Sequence, residues 1–198
     1  GRKAAPMSDW ELASRLSYFL WSSMPDTELR RVAQMGRLQN PKALRAQTRR
    51  LLKDPRVRGM ATEFAAQWLQ FRGFDKHQGK SEKRFPTFNH ELRDAIYEES
   101  ILFFEDLIRN DRSVLDIVNG DHAFLNETMA KHYDIPEIKG PQWRRVDGVG
   151  RYGRGGVLAM SSVLAKQSGA LRTSPILRGN WIVETLLGRE LPNPPDDV

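Results

Sequence analysis

The longest hydrophobic pattern in the chain runs from about residue 89 to 109 and predicts a central helix. At about 100° per residue, apolar side chains fall on two sides of this helix. One side carries Phe88, Leu92, Ala95, Ile96, Phe103 and Leu107, and the other carries Tyr97, Ile101, Phe104 and Ile108. A helix that is apolar on two sides is expected to be packed between neighbours. The pattern therefore predicts a bundle built around this helix.

Polar residues mark the start of four other hydrophobic patterns, all in the first third of the chain. Ser8 is followed by Glu11, which is the capping-box spacing, and Asp26 precedes a short second helix. Asn40 and Asp54 each stand before a proline, which a helix tolerates at its first position. These signals predict four consecutive helices ahead of the central one.

The chain becomes loop-rich after about residue 138, where glycines and prolines interrupt the hydrophobic pattern. A short strand near 143–146 and two helices, at about 156–166 and 174–187, are the elements predicted there. The expected fold class is therefore mainly α. It is a multi-helix bundle around the central helix, with a C-terminal third that holds at most a short strand pair and two helices.

Two segments can be distinguished on this basis. Residues 1–138 form a predicted helical domain, and residues 139–198 contribute a glycine-rich loop and two helices. The second segment has little apolar surface to bury by itself, so we expect the two to form one folding unit. The proline-rich end at 191–195 is typical of an extended linker. The chain is therefore interpreted as a fragment of a larger protein.

The composition narrows the chemistry that this chain can support. It has 198 residues, a net charge of +6 and a pI of about 9.8, but its basic residues are interspersed with acids, so nucleic acid is not the expected partner. It contains no cysteine, which excludes thiolate metal sites and haem attachment within the chain. No segment approaches the roughly 20 apolar residues of a membrane span. Neither a cofactor nor a metal is expected in this chain.

Two carboxylates, Glu99 and Asp106, fall within the apolar sides of the predicted central helix. A buried carboxylate must be paired with a cation or held neutral. Two such acids on one face could perform acid–base chemistry, so both are candidate catalytic residues. In the alternative interpretation, each accepts hydrogen bonds and fixes how the helices cross.

A glycine-rich stretch at 148–156 carries Arg151 and Arg154 just before a predicted helix. Backbone N–H groups and guanidinium groups in such a position could bind an anion. Tight turns with positive φ angles would also explain the glycines without any ligand. Both interpretations remain open for this stretch.

A second candidate anion site consists of Arg172, Ser174 and Arg178. Ser174 is the predicted N-cap of the last helix, and the two arginines flank it in a geometry suited to a carboxylate or phosphate. We expect the anion to be internal, one of three carboxylates of the same fold: Glu99, Asp106 or Asp121. An internal salt bridge would also explain how a buried acid is accommodated.

Several motifs occur in a family-specific order. In the first part they are Leu12–Trp21, Pro25–Asp26, Asp54–Arg56, Gln67–Leu69, Phe124–Asn126 and His132–Tyr133, and in the second Gly155–Leu158, Ser162–Leu164, Arg172–Trp181 and Leu186–Gly188. They resemble the planctomycete cytochrome-c-associated family, with its adjoining domains of unknown function fifteen ninety-two and fifteen eighty-eight. The chain departs from the family pattern at 122–123 and 166–171.

This resemblance implies a large multidomain protein that is exported to the periplasm or the cell surface. Haem c is expected only on a neighbouring domain, and the implied partners are other domains of the parent protein, including a c-type cytochrome domain. The resemblance supplies no catalytic residues.

Three functional hypotheses follow. The first is a non-catalytic scaffold or interaction module, which is favoured because Ser162 and Lys166 lack the spacing of a serine acyltransferase and no other nucleophile is evident. The alternative is a catalytic domain, hydrolytic or redox, that acts on a polysaccharide or other polymer through a buried Glu/Asp/Arg cluster. Binding of an anionic polymer would instead require the lysines of loop 73–87 to share a face with Arg151 and Arg154.

Overall fold

The computed structural model describes residues 6–81 and 83–192. The chain is mainly α-helical, as predicted. The α-helices are α1 Asp9–Trp21, α2 Thr27–Gln34, α3 Pro41–Lys53, α4 Arg58–Met60, α5 Ala66–Trp68, α6 His90–Arg109, α7 Asp116–Asn119, α8 Glu127–Tyr133, α9 Ser161–Lys166 and α10 Pro175–Trp181. Shorter helical turns lie at Pro55–Val57, Ala61–Ala65, Phe74–Lys76, Val149–Tyr152 and Ile182–Leu186. Within this described part, no helix combines the length and apolar character that crossing a bilayer requires.

The predicted helix starts are formed by the capping interactions that their sequences favour. Ser8 and Glu11 form the reciprocal capping box of α1, and the side chains of Asp26 and Asn40 cap α2 and α3. After Asp54 the chain starts as a tight 3₁₀ turn, continues as α4 and α5, and passes through a π turn between them. These local signals were therefore sufficient to place the first four helical segments.

The predicted central helix is α6, whose N-cap Asn89 accepts a hydrogen bond from the backbone of Leu92. Its side chains enter two hydrophobic clusters that follow each other along the helix, so Phe103 packs with Ile101 and Phe104 and not with the side on which it was predicted. Ile101, Phe103 and Phe104 pack in one cluster, with residues of α9 and α10 and of the segment around the π turn, while Leu92, Ala95 and Ile96 pack in the other, with β1 and α8. A third cluster joins α1, α2 and α3.

The sheet consists of two antiparallel strands, β1 (His122–Leu125) and β2 (Arg144–Asp147), with His122 opposite Asp147. The prediction of a short strand near 143–146 is confirmed. Its partner, however, lies before the C-terminal third, whereas the sequence suggested a strand pair within it. Four residues of β1 are too few to show a period-two pattern beside the cap of α8, so their pairing could not be recognised locally.

The helix predicted to begin near residue 156 begins only at Ser161. Gly155 and Gly156 have φ angles of +103° and +61°, and a Cβ on them would lie 2.2 Å from the carbonyl oxygen of Gly120 and 2.4 Å from that of Val118, respectively. The two glycines therefore form a turn packed directly against the backbone at the C-terminal end of α7, which only glycine permits. The last helix starts as predicted, with Ser174 as N-cap and Pro175 at N1. The predicted linker at 191–195 lies mostly outside the described residues.

Candidate functional site

Glu99 lies on α6 and is only 2% exposed. Its one hydrogen-bond partner within the described residues is the hydroxyl of Tyr133, which donates to the carboxyl Oε2 at 2.6 Å. Burial raises the pKa of Glu99 to about 8, although the Tyr133 hydrogen bond and the positive charge of Arg154 act in the opposite direction. The carboxyl group is therefore mostly protonated at pH 7.

Asp106 lies two turns further along α6 and is ionically paired. Its Oδ2 accepts hydrogen bonds from Arg145 at 2.8 Å and from Arg112 at 3.0 Å, and His122 Nε2 lies 4.0 Å away. We call Asp106, Arg112 and Arg145 the Asp106 cluster. The two acids that the sequence proposed as one catalytic pair thus have different environments and no shared hydrogen-bond partner.

The internal salt bridge expected for Arg172 or Arg178 is not found in residues 6–81 and 83–192. Arg178 donates instead to the carbonyl oxygen of Leu164 at 3.5 Å and to the hydroxyl of Ser168 at 3.3 Å. The three proposed acids have other partners: Tyr133 for Glu99, Arg112 and Arg145 for Asp106, and the backbone N–H of Gly150 for Asp121. The expectation was wrong because each acid has its partner elsewhere: Glu99 and Asp106 project from α6 toward Tyr133 and Arg145, and Asp121 lies just before β1 beside Gly150.

Arg172 and Arg178 instead line a cleft of about 370 Å³ together with Arg154 and Lys80. We call this the cationic cleft, defined by these four residues. No Asp or Glu of the described chain lines it. Elsewhere in the molecule, arginines are commonly paired, as Arg50 is with Asp26 and Arg58 is with Glu98. The cationic cleft therefore holds positive charge that the described part of the fold does not neutralise.

Two cations of the cleft, Arg154 and Lys80, are held by specific local contacts. The turn at Gly155 and Gly156 follows Arg154, whose guanidinium group lies 4.2 Å from the centre of the Tyr133 ring. Lys80 donates to the carbonyl oxygens of Ser168 and Gly169 at 2.8 and 2.9 Å. These contacts fix the positions of Arg154 and Lys80 before any ligand arrives.

Of the other proposed anion-binding residues, Ser174 caps α10 by accepting a hydrogen bond from the backbone of Leu177. It thereby positions the turn that carries Arg178. Arg151 does not line the cleft, and its guanidinium group lies over the ring of Tyr152 at 4.9 Å. Of the five proposed anion-binding residues, the structure thus brings together Arg154, Arg172 and Arg178.

One wall of the cationic cleft is apolar. It is formed by six side chains from the 85–88 loop, α6 and α9: Phe85, Phe88, Leu92, Ile96, Leu164 and Ala165. Phe88 is fixed from behind by an edge-to-face contact with the buried Phe74, with ring centres 6.1 Å apart. The cleft therefore combines a charged side with a hydrophobic one.

A histidine and a serine that the sequence did not suggest also line the cleft. His132 Nε2 and Ser161 Oγ are 2.9 Å apart, and the backbone N–H of Ser161 donates to the Tyr133 hydroxyl at 3.2 Å. His132 and Ser161 are 29 positions apart in the chain, and no short motif contains both, so only the fold reveals the pair. A hydrogen bond between a serine and a histidine is the arrangement by which a serine can be activated.

The pKa shifts of two groups in the cleft agree with its positively charged lining. Burial, and then the charge of Arg178, lower the pKa of Lys80, and burial, and then the charge of Arg154, lower the pKa of His132. The charged forms of Lys80 and His132 are therefore destabilised, because their surroundings lack a carboxylate that would compensate the charge. A bound anion would oppose these effects.

A second, larger cleft of about 770 Å³ has the opposite charge. Its acidic lining residues are Asp75, Glu91, Asp94, Glu98 and Glu127, with Lys131 as the one basic residue. No group of three or more potential ligands within the described residues is arranged to hold a metal ion.

The comparison with protein families identifies both parts of the chain. Residues 7–135 match PSD4, a protein of unknown function (DUF1592), over more than half of the chain. The chain belongs to the DUF1592 family. Residues 154–198 match the adjoining family PSCyt3, a protein of unknown function (DUF1588). Both names indicate planctomycete cytochrome-c-associated families, which confirms the resemblance seen in the sequence. No curated protein and no solved structure matches the chain significantly.

The cationic cleft of this DUF1592 protein lies where the two matched segments meet. Lys80, Phe88 and His132 come from the DUF1592 segment, whereas Arg154, Arg172 and Arg178 come from the DUF1588 segment. Neither segment contains the complete set of lining residues. The adjoining occurrence of the two segments in one chain is therefore what assembles the cleft.

Proposed function

We propose that this DUF1592–DUF1588 chain is a non-catalytic binding module that holds an anionic group in the cationic cleft. The observation that supports this most strongly is the convergence of four cations on one cleft whose described lining contains no carboxylate. Elsewhere in the fold, the cations of the Asp106 cluster are balanced by a carboxylate. An external anion would supply the missing balance.

The arginines of the cleft have hydrogen-bond donors to spare. Arg154 donates from Nη1 to the carbonyl of Ala159, and Arg178 donates from Nη2 to Leu164 and Ser168. The Nε atoms of both side chains are buried without an acceptor in the described structure. A guanidinium group presents five N–H donors in a planar fork that matches carboxylate, sulfonate or phosphate oxygens. These donors favour an oxyanion over a halide.

The family names indicate cytochrome-c-associated proteins. We propose in addition that the chain is part of a large exported protein and that a neighbouring domain carries haem c. The anionic group could then belong to a ligand or to another domain of the same protein. In either case this module recognises the negative charge, and the redox chemistry takes place on the neighbouring haem domain.

The proposal is tested by adding phosphate, sulfate and chloride at constant ionic strength and measuring thermal unfolding. A ligand that binds only the folded state stabilises it by about 2.7 kcal/mol at 100 times its dissociation constant. Phosphate or sulfate should raise the unfolding midpoint more than chloride, and the double variant Arg154→Gln/Arg178→Gln should lose this difference.

Arg151→Gln is the matched control, because Arg151 is an exposed arginine of the same loop that does not line the cleft. It should retain the oxyanion effect. An effect that persists in the double variant, or that Arg151→Gln abolishes equally, would assign oxyanion binding to general surface charge and contradict the proposal.

A second candidate function is hydrolysis of an anionic ester, and the observation that favours it is the 2.9 Å contact between His132 and Ser161. Ser161 Oγ would attack the ester carbonyl while His132 Nε2 takes its proton and then passes it to the leaving alcohol. Water would hydrolyse the acyl-enzyme with His132 again as base. This pair replaces the Glu/Asp/Arg cluster considered from the sequence, whose members the structure separates.

A serine-directed fluorophosphonate separates the two functions. The hydrolase candidate requires covalent labelling of Ser161, detected by mass spectrometry, and loss of labelling in His132→Ala. Ser162 is the internal comparison, because it does not line the cleft, is 0% exposed against 6% for Ser161, and is hydrogen-bonded to Ser100 at 2.7 Å. Unlabelled Ser161 would exclude the hydrolase and leave the binding module.

A further inference from the structure

We propose that the occupant of the cationic cleft is an amphipathic anion, with an oxyanion head at Arg154 and Arg178 and an apolar body against Phe85 and Phe88. This inference rests on the proposed function, because it presumes that the cleft binds an anion. It adds the chemical class of the ligand.

The apolar wall carries the inference. Leu92 and Ile96 are buried at its base, Phe88 and Leu164 are half-buried, and Phe85 remains 39% exposed at its edge. Because the hydrophobic surface and the four cations line one cleft, a ligand that contacts both must itself be charged at one end and apolar at the other. An inorganic oxyanion would leave the apolar wall in contact with water.

Both sides of the cleft are fixed in position. Phe88 is packed against Phe74, Arg154 is held over Tyr133, and Lys80 fastens the 73–87 loop to the carbonyls of Ser168 and Gly169. The backbone N–H of Ser81 also donates to the carbonyl of Ala170 at 3.1 Å. The distance between the charged and apolar sides is therefore set by the fold, which favours ligands of a defined length.

The size of the cleft also argues against an extended polymer as the ligand. A cleft of about 370 Å³ falls within the range of roughly 300–1,000 Å³ typical of small-molecule sites. Its cations line one short cleft, whereas a polyanion backbone would require charges distributed along a groove. A compact anion with a short alkyl or aromatic body fits this arrangement.

The test is a series of linear alkanesulfonates from methyl to octyl, measured by isothermal titration calorimetry with the full chain. Sulfonates stay charged at every working pH, so only the apolar body changes. Each buried CH₂ contributes about 0.8 kcal/mol, so affinity should rise roughly 2- to 4-fold per carbon until the wall is covered, and then level off. Inorganic sulfate and the corresponding neutral alcohols are measured in parallel.

Two variants separate the two sides of the cleft. Phe85→Ser removes an exposed part of the wall that the core does not require, and it should reduce the gain per carbon. Arg178→Gln removes hydrogen bonds to the head and should weaken every sulfonate by roughly 10-fold while leaving the gain per carbon unchanged. Arg151→Gln should alter neither quantity.

The outcomes distinguish this inference from the function on which it rests. Binding of sulfate and methanesulfonate without a gain in longer sulfonates overturns the amphipathic ligand and leaves anion binding intact. Failure of every anion to bind overturns both. A gain per carbon that is undiminished in Phe85→Ser, together with an unchanged affinity in Arg154→Gln/Arg178→Gln, would locate binding at another apolar surface, such as the exposed rings of Phe19, Phe64 and Trp68, and would also overturn the inference.

Discussion

The Asp106 cluster and the cationic cleft use the same residue type in opposite ways. Around Asp106, two arginines converge on one carboxylate, and their charges are largely balanced within the fold. In the cationic cleft, three arginines and a lysine converge on a cleft with no described carboxylate. The first arrangement joins α6 to β2 and to the segment after α6. The second leaves positive charge without a counter-charge at a solvent-accessible surface.

The contrast shows that an available acid is not necessarily used to neutralise a nearby cation. Glu99 and Arg154 both contact Tyr133, Glu99 through the hydroxyl and Arg154 over the ring face. Burial keeps Glu99 mostly protonated, since its pKa is raised to about 8, so at pH 7 it contributes little negative charge. A neutral acid beneath the cleft preserves the cationic character of the surface above it.

Removing residues 1–138 disrupts both the Asp106 cluster and the cationic cleft. This change should have the largest effect on folding stability. Arg145 and Arg178 belong to residues 139–198, whose apolar side chains Val157, Met160 and Trp181 pack in a cluster with Phe71 and Phe104. An isolated 139–198 fragment should therefore be unfolded and show no cooperative melting by circular dichroism, in contrast to the full chain. A cooperative transition in the fragment would show that it is an independent domain.

Replacing Glu99 by Gln should have the next largest effect, which should develop as the pH rises from about 4.5 to about 8. Because the folded-state pKa is raised above the ordinary value of 4.5, the folded protein retains a proton that the unfolded chain releases. Stability from this proton is complete below pH 4.5 and is lost progressively as the pH rises to about 8, with a total change on the order of 5 kcal/mol. Glutamine cannot titrate, so Glu99→Gln should gain stability relative to the natural chain as pH rises.

Urea unfolding of both proteins between pH 4.5 and pH 9 measures this difference. The histidines titrate in both chains, and their contribution cancels when the two curves are subtracted. Parallel curves would mean that Glu99 is ionised in the folded protein and that the cleft has an internal counter-charge.

Replacing Asp106 by Asn should have the smallest of the three effects, a loss of roughly 1–3 kcal/mol, because Arg112 and Arg145 lose a charged acceptor. The control is Asp147→Asn, since Asp147 also pairs with Arg145 at 2.7 Å but its side chain is 70% exposed. That control should change the free energy of unfolding by less than about 0.5 kcal/mol. Equal losses in the two variants would show that the Asp106 cluster is no better shielded than a surface ion pair.

The helices were predictable because their signals are local. Ser8, Asp26, Asn40 and Asn89 cap the helices that follow them, and the two apolar sides of α6 follow from a period that can be read in the sequence. The buried position of Glu99 could be predicted for the same reason, since it depends only on its angle around α6.

The pairing of charges and the composition of the cleft could not be predicted in this way. Lys80 meets the Ser168 loop across 88 positions of the chain, and His132 meets Ser161 across 29, so both contacts depend on how helices pack. The arginines of the last segment were correctly recognised as a group, but their expected partners were wrong. Periodicity gives the face of a helix and does not tell which loop lies opposite that face.

The turn at Gly155 and Gly156 shows which positions of this fold do not tolerate substitution, in contrast to the cations of the cleft. Both positions are closed to any side chain by backbone atoms of Gly120 and Val118, so changes there should be eliminated in any library selected for folding. Arg172 is exposed, and Lys80 and Arg178 make only hydrogen bonds that neutral polar groups could replace. The same backbone could thus be redesigned to hold a cleft of different charge, provided that the two glycines are kept.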